Sequence, residues 1–312
     1  MGVISKIKQL KESRNAVILA HYYTTAEIQD NADFVGDSLA LSQKAATTDA
    51  DVILFAGVDF MAETAKILSP EKTVLIPDLE SGCSLADSCP SDSFGEFVAL
   101  HPDHTVISYV NTTAAVKALS DIIVTSSNAV EIVGSLDADT KIIFGPDRNL
   151  GSYVASQTGR EMLIWDGACH VHQQFSLERI LELKKEFPSA KILAHPECTR
   201  PVLLVADVVG STAALLNYTL SDDTQEYIVA TESGIIHQMS SASPSKRFIA
   251  APPLDSSCGC NDCSFMKLNT LEKVASALET LSPSIELDET LRQRAELPIR
   301  RMLDISKELG LI

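Results

Sequence analysis

No run in this chain reaches the roughly 18 consecutive apolar residues that a membrane-spanning helix needs, so no span is expected. The opening residues MGVISKIKQLKESRN alternate apolar and charged and have no signal-peptide apolar core. A cytoplasmic address is the expectation that follows. Positive charge is short: 25 basic residues face 42 acidic ones, for a net charge of −17. Such a surface repels phosphate backbones and anionic lipid, which argues against nucleic acid and membranes as partners. No segment is compositionally biased, so nothing suggests disorder. The seven cysteines are an odd set, and with no export signal a disulfide framework is not expected. Nor do they form the tight C-x3-C-x2-C run of a radical-generating cluster. Metal binding, catalysis or plain burial remain for them.

What is present, over 312 residues that are 45% hydrophobic, is enough core for several α/β units. Short β-branched runs at Val17–Ala20, Val52–Ala56 and Val74–Ile76 read as buried parallel strands. Amphipathic stretches at 32–46 and 59–68 read as helices between them. The pattern then repeats. VILAHYY (17–23), VISYVN (106–111) and KILAHPE (191–197) align as equivalent strands, each ending in polar-x-polar: His21-x-Tyr23, Tyr109-x-Asn111, His195-x-Glu197. A small hydroxyl follows at a fixed offset of 17, since 38 − 21, 126 − 109 and 212 − 195 agree, giving Ser38, Ser126 and Thr212. At an offset of 36 come Gly57, Gly145 and Thr231, near the ends of second strands. Third strands at 74–78, 162–166 and 248–252 lead to Cys83, to Cys169 and to the group Cys258, Cys260, Cys263.

Three shared offsets in three copies imply three similar α/β domains, each with a three-layer, parallel-sheet build. They are bounded at 1–85 with 265–312, 86–171, and 172–264. From about Phe265 the pattern becomes helical, with Asn269 and Glu272 as a capping box, and this part is expected to pack on the first unit. Ligands in open α/β sheets bind beyond the carboxyl ends of the strands. Units meeting about a pseudo-threefold axis would therefore enclose one central active site, lined by His21, Tyr23, Tyr109, Asn111, His195 and Glu197. Ser38, Ser126 and Thr212, near helix starts, would favour carboxylate or phosphate. Thiolates from three distant segments meeting there suit an iron–sulfur cluster with one iron left open as a Lewis acid. Such a site fits removal of water from a hydroxy acid or imine. Glu197, at a strand end in a partly dry cavity, is expected to have a raised pKa. Cys89 and Cys198 fall outside the repeat and read as structural. Cys258-Gly-Cys260-x-x-Cys263 alone could equally hold zinc with a fourth ligand elsewhere. His101, His104 and His237 read as solvated or capping groups, and His170 and His172 as incidental.

The motifs AHYY (20–23), GDS (36–38), YVN (109–111), TSSNA (125–129), GPDRNLG (145–151), WDGACH (165–170), AHPEC (194–198), GST (210–212), ATESG (230–234) and CSFMKLNTL (263–271) together resemble the quinolinate synthase family. The resemblance covers essentially the whole chain. It implies three similar domains about a pseudo-threefold axis and a [4Fe–4S] cluster on Cys83, Cys169 and Cys263. Cys263 matches the family ligand because Phe265-Met266 follow it. The family usually has C-P-aromatic-M where this chain has Cys263-Ser264-Phe265-Met266, which leaves Cys260 as the alternative. The implied reaction condenses iminosuccinate with dihydroxyacetone phosphate to quinolinate in NAD biosynthesis, releasing phosphate and two waters. L-aspartate oxidase is the implied source of iminosuccinate. Tyr23, Tyr109, Glu197, His21 and His195 would be catalytic. His21, Ser38, Tyr109, Asn111, Ser126, His195, Glu197, Ser211 and Thr212 would bind substrate. The competing readings are another cluster-dependent hydro-lyase, an iron–sulfur sensor and a metal-free phosphosugar enzyme.

Overall fold

The computed structural model describes residues 2–255 and 261–312. Cys258 and Cys260 lie outside the described residues, and with them the alternative of Cys260 in place of Cys263 as third ligand. Among the described residues, twelve strands form three separate four-stranded sheets, all parallel. The first contains β1 (Ala16–His21), β2 (Phe34–Gly36), β3 (Val52–Ala56) and β4 (Thr73–Leu75) in the order β2-β1-β3-β4. The second contains β5 (Thr105–Tyr109), β6 (Ile122–Val124), β7 (Ile142–Gly145) and β8 (Met162–Ile164) in the order β6-β5-β7-β8. The third contains β9 (Lys191–Ala194), β10 (Val208–Val209), β11 (Glu226–Ala230) and β12 (Arg247–Ala250) in the order β10-β9-β11-β12. Three similar α/β domains are thus what the chain builds.

The central strands are apolar on both faces because helices cover both. Every residue of β3 is buried, as are residues 17–21 of β1. Hydrogen bonding repeats as strictly as topology. Asp33, Asp121 and Asp207 each use Oδ2 to accept the amide of Ile18, Val106 or Ile192, always at 2.8 Å. The separation is the same each time: 33 − 18, 121 − 106 and 207 − 192. A carboxylate so placed satisfies an amide at the start of each leading strand, where the short neighbouring strand has not yet begun.

Two expectations need correction. The stretch 32–46 is not one helix, because β2 occupies Phe34–Gly36 and the helix spans Ser38–Thr47, capped by Asp37, whose Oδ1 accepts the amide of Ala40 at 3.0 Å. The repeat also slips by one residue in the second unit. Ala20 pairs with Ala56 and Ala194 with Ala230, both 36 apart, whereas Ser108 pairs with Gly145, 37 apart.

The C-terminal helices divide their packing. Helix Leu271–Thr280 lies on the opening helix Val3–Arg14, joining Ile7 to Val274 and Leu278 in one apolar cluster. Its cap is Thr270 rather than Asn269. Thr270 Oγ1 accepts the amide of Lys273, while Asn269 Nδ2 donates to the carbonyls of Gly57 and Met266. Helix Glu289–Glu308 reaches further than the first unit. Arg292 donates to the carbonyl of Ile67 in unit one, while Asn128 of unit two donates to Ser306 at 3.0 Å. The last helix therefore ties two units together.

Candidate active site

The carboxyl ends of all three sheets open on one cavity. Its lining includes His21, Tyr23, Ser38, Cys83, Tyr109, Asn111, Ser126, Cys169, His195, Glu197, Thr212 and Cys263. Twelve residues singled out from sequence thus share one site. The hydroxyl of the thirteenth, Ser211, caps helix Thr212–Ser221 by accepting the amide of Ala214, and it is not among the lining groups.

Polar contacts across the cavity run between units. Tyr109 Oη of unit two donates to Glu197 Oε1 of unit three at 2.6 Å. Tyr23 Oη of unit one meets Thr212 Oγ1 and Thr231 Oγ1 of unit three at 2.8 and 2.7 Å. Ser127 donates to Asp37 Oδ2 at 2.7 Å, joining units two and one. His195 Nε2 lies 3.2 Å from Ser126 Oγ. No single unit carries a complete set.

The sequence reading set His172 aside, and here it stands corrected. The short helix His170–Gln173 turns this side chain inward, where it is buried beside Glu197, with its Nδ1 3.0 Å from Oε2. That Nδ1 has no hydrogen bond of good geometry, while Nε2 meets Thr231 Oγ1 at 3.0 Å. One atom each from Cys169, His172 and Glu197 lie within 4.8 Å of one another, a set able to hold a metal ion. Glu232 also lines the cavity and was missed, although ATESG was noticed as a motif. His170 instead bonds Ser84 Oγ through Nδ1 at 2.6 Å.

Burial controls the protonation states. It drives the imidazoles of His21 and His195 down to about 3, with each other's charge (for His21) and that of His172 (for His195) acting in the same direction against Glu197. Geometry agrees: the Nδ1 atoms of His21 and His195 accept the amides of Tyr23 and Glu197 at 3.2 and 3.3 Å. A proton on either Nδ1 would face an N–H. Burial, with Glu197 nearby, pushes the phenols of Tyr23 and Tyr109 well above their ordinary value, so both remain donors. Glu197 departs from expectation. Burial alone would raise its carboxyl, but His172, His195 and the Tyr109 hydroxyl outweigh burial and hold it down to about 2. Asp147 carries the opposite shift, pushed up to about 7 by burial and by Glu197.

The thiols of Cys83, Cys169 and Cys263 all face the cavity, each from the segment that follows the last strand of its unit, β4, β8 or β12. Burial raises all three; Cys263 adds to the rise at Cys83, Glu197 with Cys83 and Cys263 to that at Cys169, and Glu232 to that at Cys263. Three half-buried thiols that resist ionisation make a donor set suited to a group of high positive charge, which would reverse that resistance. Cys89 and Cys198 are buried away from this group, Cys198 in the core of the third unit.

The family model described as Quinolinate synthetase A protein matches residues 5–304. The chain belongs to the quinolinate synthase family. It is 58% identical over 306 residues to the quinolinate synthase of Thermosynechococcus vestitus, covering 98% of this chain and 96% of the other. The Synechocystis enzyme is 61% identical over 304 residues, at 97% and 95% coverage, and the Synechococcus enzyme 60% over 300, at 96% and 94%. Membership makes this chain an enzyme of NAD biosynthesis. Among the described residues no helix is long and apolar enough to cross a membrane.

Proposed function

We propose that this quinolinate synthase condenses iminosuccinate with dihydroxyacetone phosphate at the shared cavity, with a [4Fe–4S] cluster held by Cys83, Cys169 and Cys263. The observation that carries this reading is the convergence of three thiols from three units beside an acid/base set. When bound, such a cluster supplies an iron with an open position, a Lewis acid toward a substrate oxygen or nitrogen. The catalytic centre is then shared by domains 1–85 with 265–312, 86–171 and 172–264. Iminosuccinate would come from L-aspartate oxidase, in the cytoplasm.

The chain's own groups divide the remaining work. Asn111 Oδ1 is buried without a partner, as suits an acceptor kept for a substrate N–H or O–H. Ser38 opens helix Ser38–Thr47 and Thr212 opens Thr212–Ser221, so their hydroxyls sit beside free backbone N–H groups that favour carboxylate and phosphate. Ser126 and the neutral His21 and His195 add donors without adding charge. Tyr23 and Tyr109, held protonated, give protons or hydrogen bonds to departing and carbonyl oxygens. Glu197 is a weak base in the free cavity, but a dicarboxylate arriving beside it adds like charge and raises its affinity for a proton. Its base strength therefore appears with substrate in place, and water-activated side reactions are suppressed without it.

Anaerobic purification with iron and sulfide analysis tests this directly. Roughly four irons per chain are expected, lost when Cys83, Cys169 or Cys263 is replaced by Ser. Quinolinate should form from the two precursors, with release of phosphate. A reconstituted, reduced preparation that makes no quinolinate would defeat the reading.

A further inference from the structure

Two buried carboxylates outside the proposed catalytic and cluster-binding set occupy equivalent places. Counting two residues past Ala56, Gly145 and Ala230, the partners of Ala20, Ser108 and Ala194 on β3, β7 and β11, gives Val58, Asp147 and Glu232. Asp147 and Glu232 are both fully buried. Asp147 Oδ2 accepts the amide of Cys169 at 3.0 Å, and its Oδ1 accepts those of Asn149 and Leu150 at 2.6 and 3.0 Å. Glu232 Oε1 accepts the amide of Cys263 at 3.1 Å and the ammonium of Lys267 at 2.8 Å, while Oε2 accepts the amide of Gly234 at 2.7 Å. Lys267 continues the link to unit one by donating to the carbonyl of Tyr23 at 2.8 Å. That seam is tight: a Cβ on Gly234 would meet the Tyr22 carbonyl oxygen at 2.7 Å.

In both units, then, a carboxylate just past β7 or β11 reaches the main-chain N–H of the cysteine that follows the neighbouring strand, β8 or β12. A negative charge near a thiolate opposes its ionisation, so these groups are poorly chosen for activating sulfur. They are well chosen for fixing backbone, because a buried carboxylate that accepts several N–H groups is a strong and directional anchor. We propose that Asp147 and Glu232 are positioning residues, each fixing one cysteine loop at the cavity by its amide, with Lys267 completing the second clamp. This rests on the reading of Cys169 and Cys263 as cluster ligands. Unit one has Val58 at the equivalent place, so Cys83 serves as an internal reference.

The test is residue-resolved labelling of reduced, metal-free protein with iodoacetamide, followed by tandem mass spectrometry. Asp147→Asn and Glu232→Gln keep size but turn an NH2 group toward N–H donors. Asp147→Asn should speed labelling of Cys169 roughly tenfold, the factor expected from loss of one charge-assisted hydrogen bond, and leave Cys83 and Cys263 unchanged. Glu232→Gln should do the same for Cys263 alone. Lys267→Met, at a side chain 26% exposed, tests the second clamp even where Glu232→Gln does not fold, and Lys267→Arg should restore protection. In reconstituted enzyme the Asn and Gln variants should lower kcat more than they raise KM. Unchanged labelling, or equal acceleration at all three cysteines, overturns the proposal. Labelling needs no cluster, so a failed iron count sinks the cofactor reading and leaves the clamps standing, while unchanged labelling sinks the clamps alone.

Discussion

Lowering pH from 7 to 5 should destabilise the metal-free protein in a way traceable to two side chains. His21 and His195 bind protons only near 3 in the folded state, against 6.5 when free. Between those values the unfolded chain holds more protons, so stability falls as pH falls. It is fully present above 6.5 and lost progressively below. Integrated from pH 7 to 5, each histidine removes about 2 kcal/mol and the pair about 4 kcal/mol. Asp147 acts with the opposite sign, since its carboxyl titrates near 7 folded and 3.8 unfolded. It gains about 2 kcal/mol over the same interval, leaving a net loss of about 2 kcal/mol in the native sequence. A His21→Gln, His195→Gln double variant lacks the histidine contribution and should become more stable over that range. Urea unfolding at the two pH values, followed by fluorescence of Trp165, measures both. The difference between the proteins should change by about 4 kcal/mol. Parallel pH dependence, within about 1 kcal/mol, would refute the neutral-imidazole description of the cavity.

Glu197→Gln is nearly isosteric, so the fold and iron content should persist while turnover drops by about 10²- to 10⁴-fold. A loss within threefold, measured as quinolinate formed under anaerobic conditions, would remove Glu197 from the chemistry. Cys198→Ala, one residue along the chain, should cost about 1 kcal/mol in urea unfolding as a small buried group is lost and leave turnover alone. Lost iron in that variant would mean that the buried thiol was misread.

The legibility of this site was uneven for physical reasons. Strand ends were readable because buried parallel strands are continuous apolar runs, and a polar residue closing such a run, as at His21, Tyr109 and His195, stands out. Cys83 and Cys169 were readable because the repeat placed them at equivalent loops. The short strands β2, β6 and β10 were not, because two or three residues carry no period of their own, and Phe34–Gly36 sits against a helix start that looks continuous with it. His172 escaped because nothing local distinguishes a histidine on a one-turn helix from a solvated one; only Glu197 and Thr231, brought over it beyond β9 and β11, make it internal. Glu232 and Lys267 lay within noticed motifs, yet their pairing spans 35 residues (267 − 232) and depends on tertiary contact alone. The low affinity of Glu197 for protons has the same origin in part, since two of its three partners, His172 and Tyr109, lie on distant segments.

The cavity lining has one more consequence. No lysine or arginine is among the described side chains that line it, in a chain whose net charge is −17. Anionic precursors thus approach uphill and are gripped only on arrival, by dipoles and neutral donors. Added salt should therefore help rather than hinder capture. Shortening the Debye length from about 30 Å at 0.01 M to about 8 Å at 0.15 M ionic strength should raise kcat/KM, the reverse of the trend in enzymes that draw their substrates in by charge.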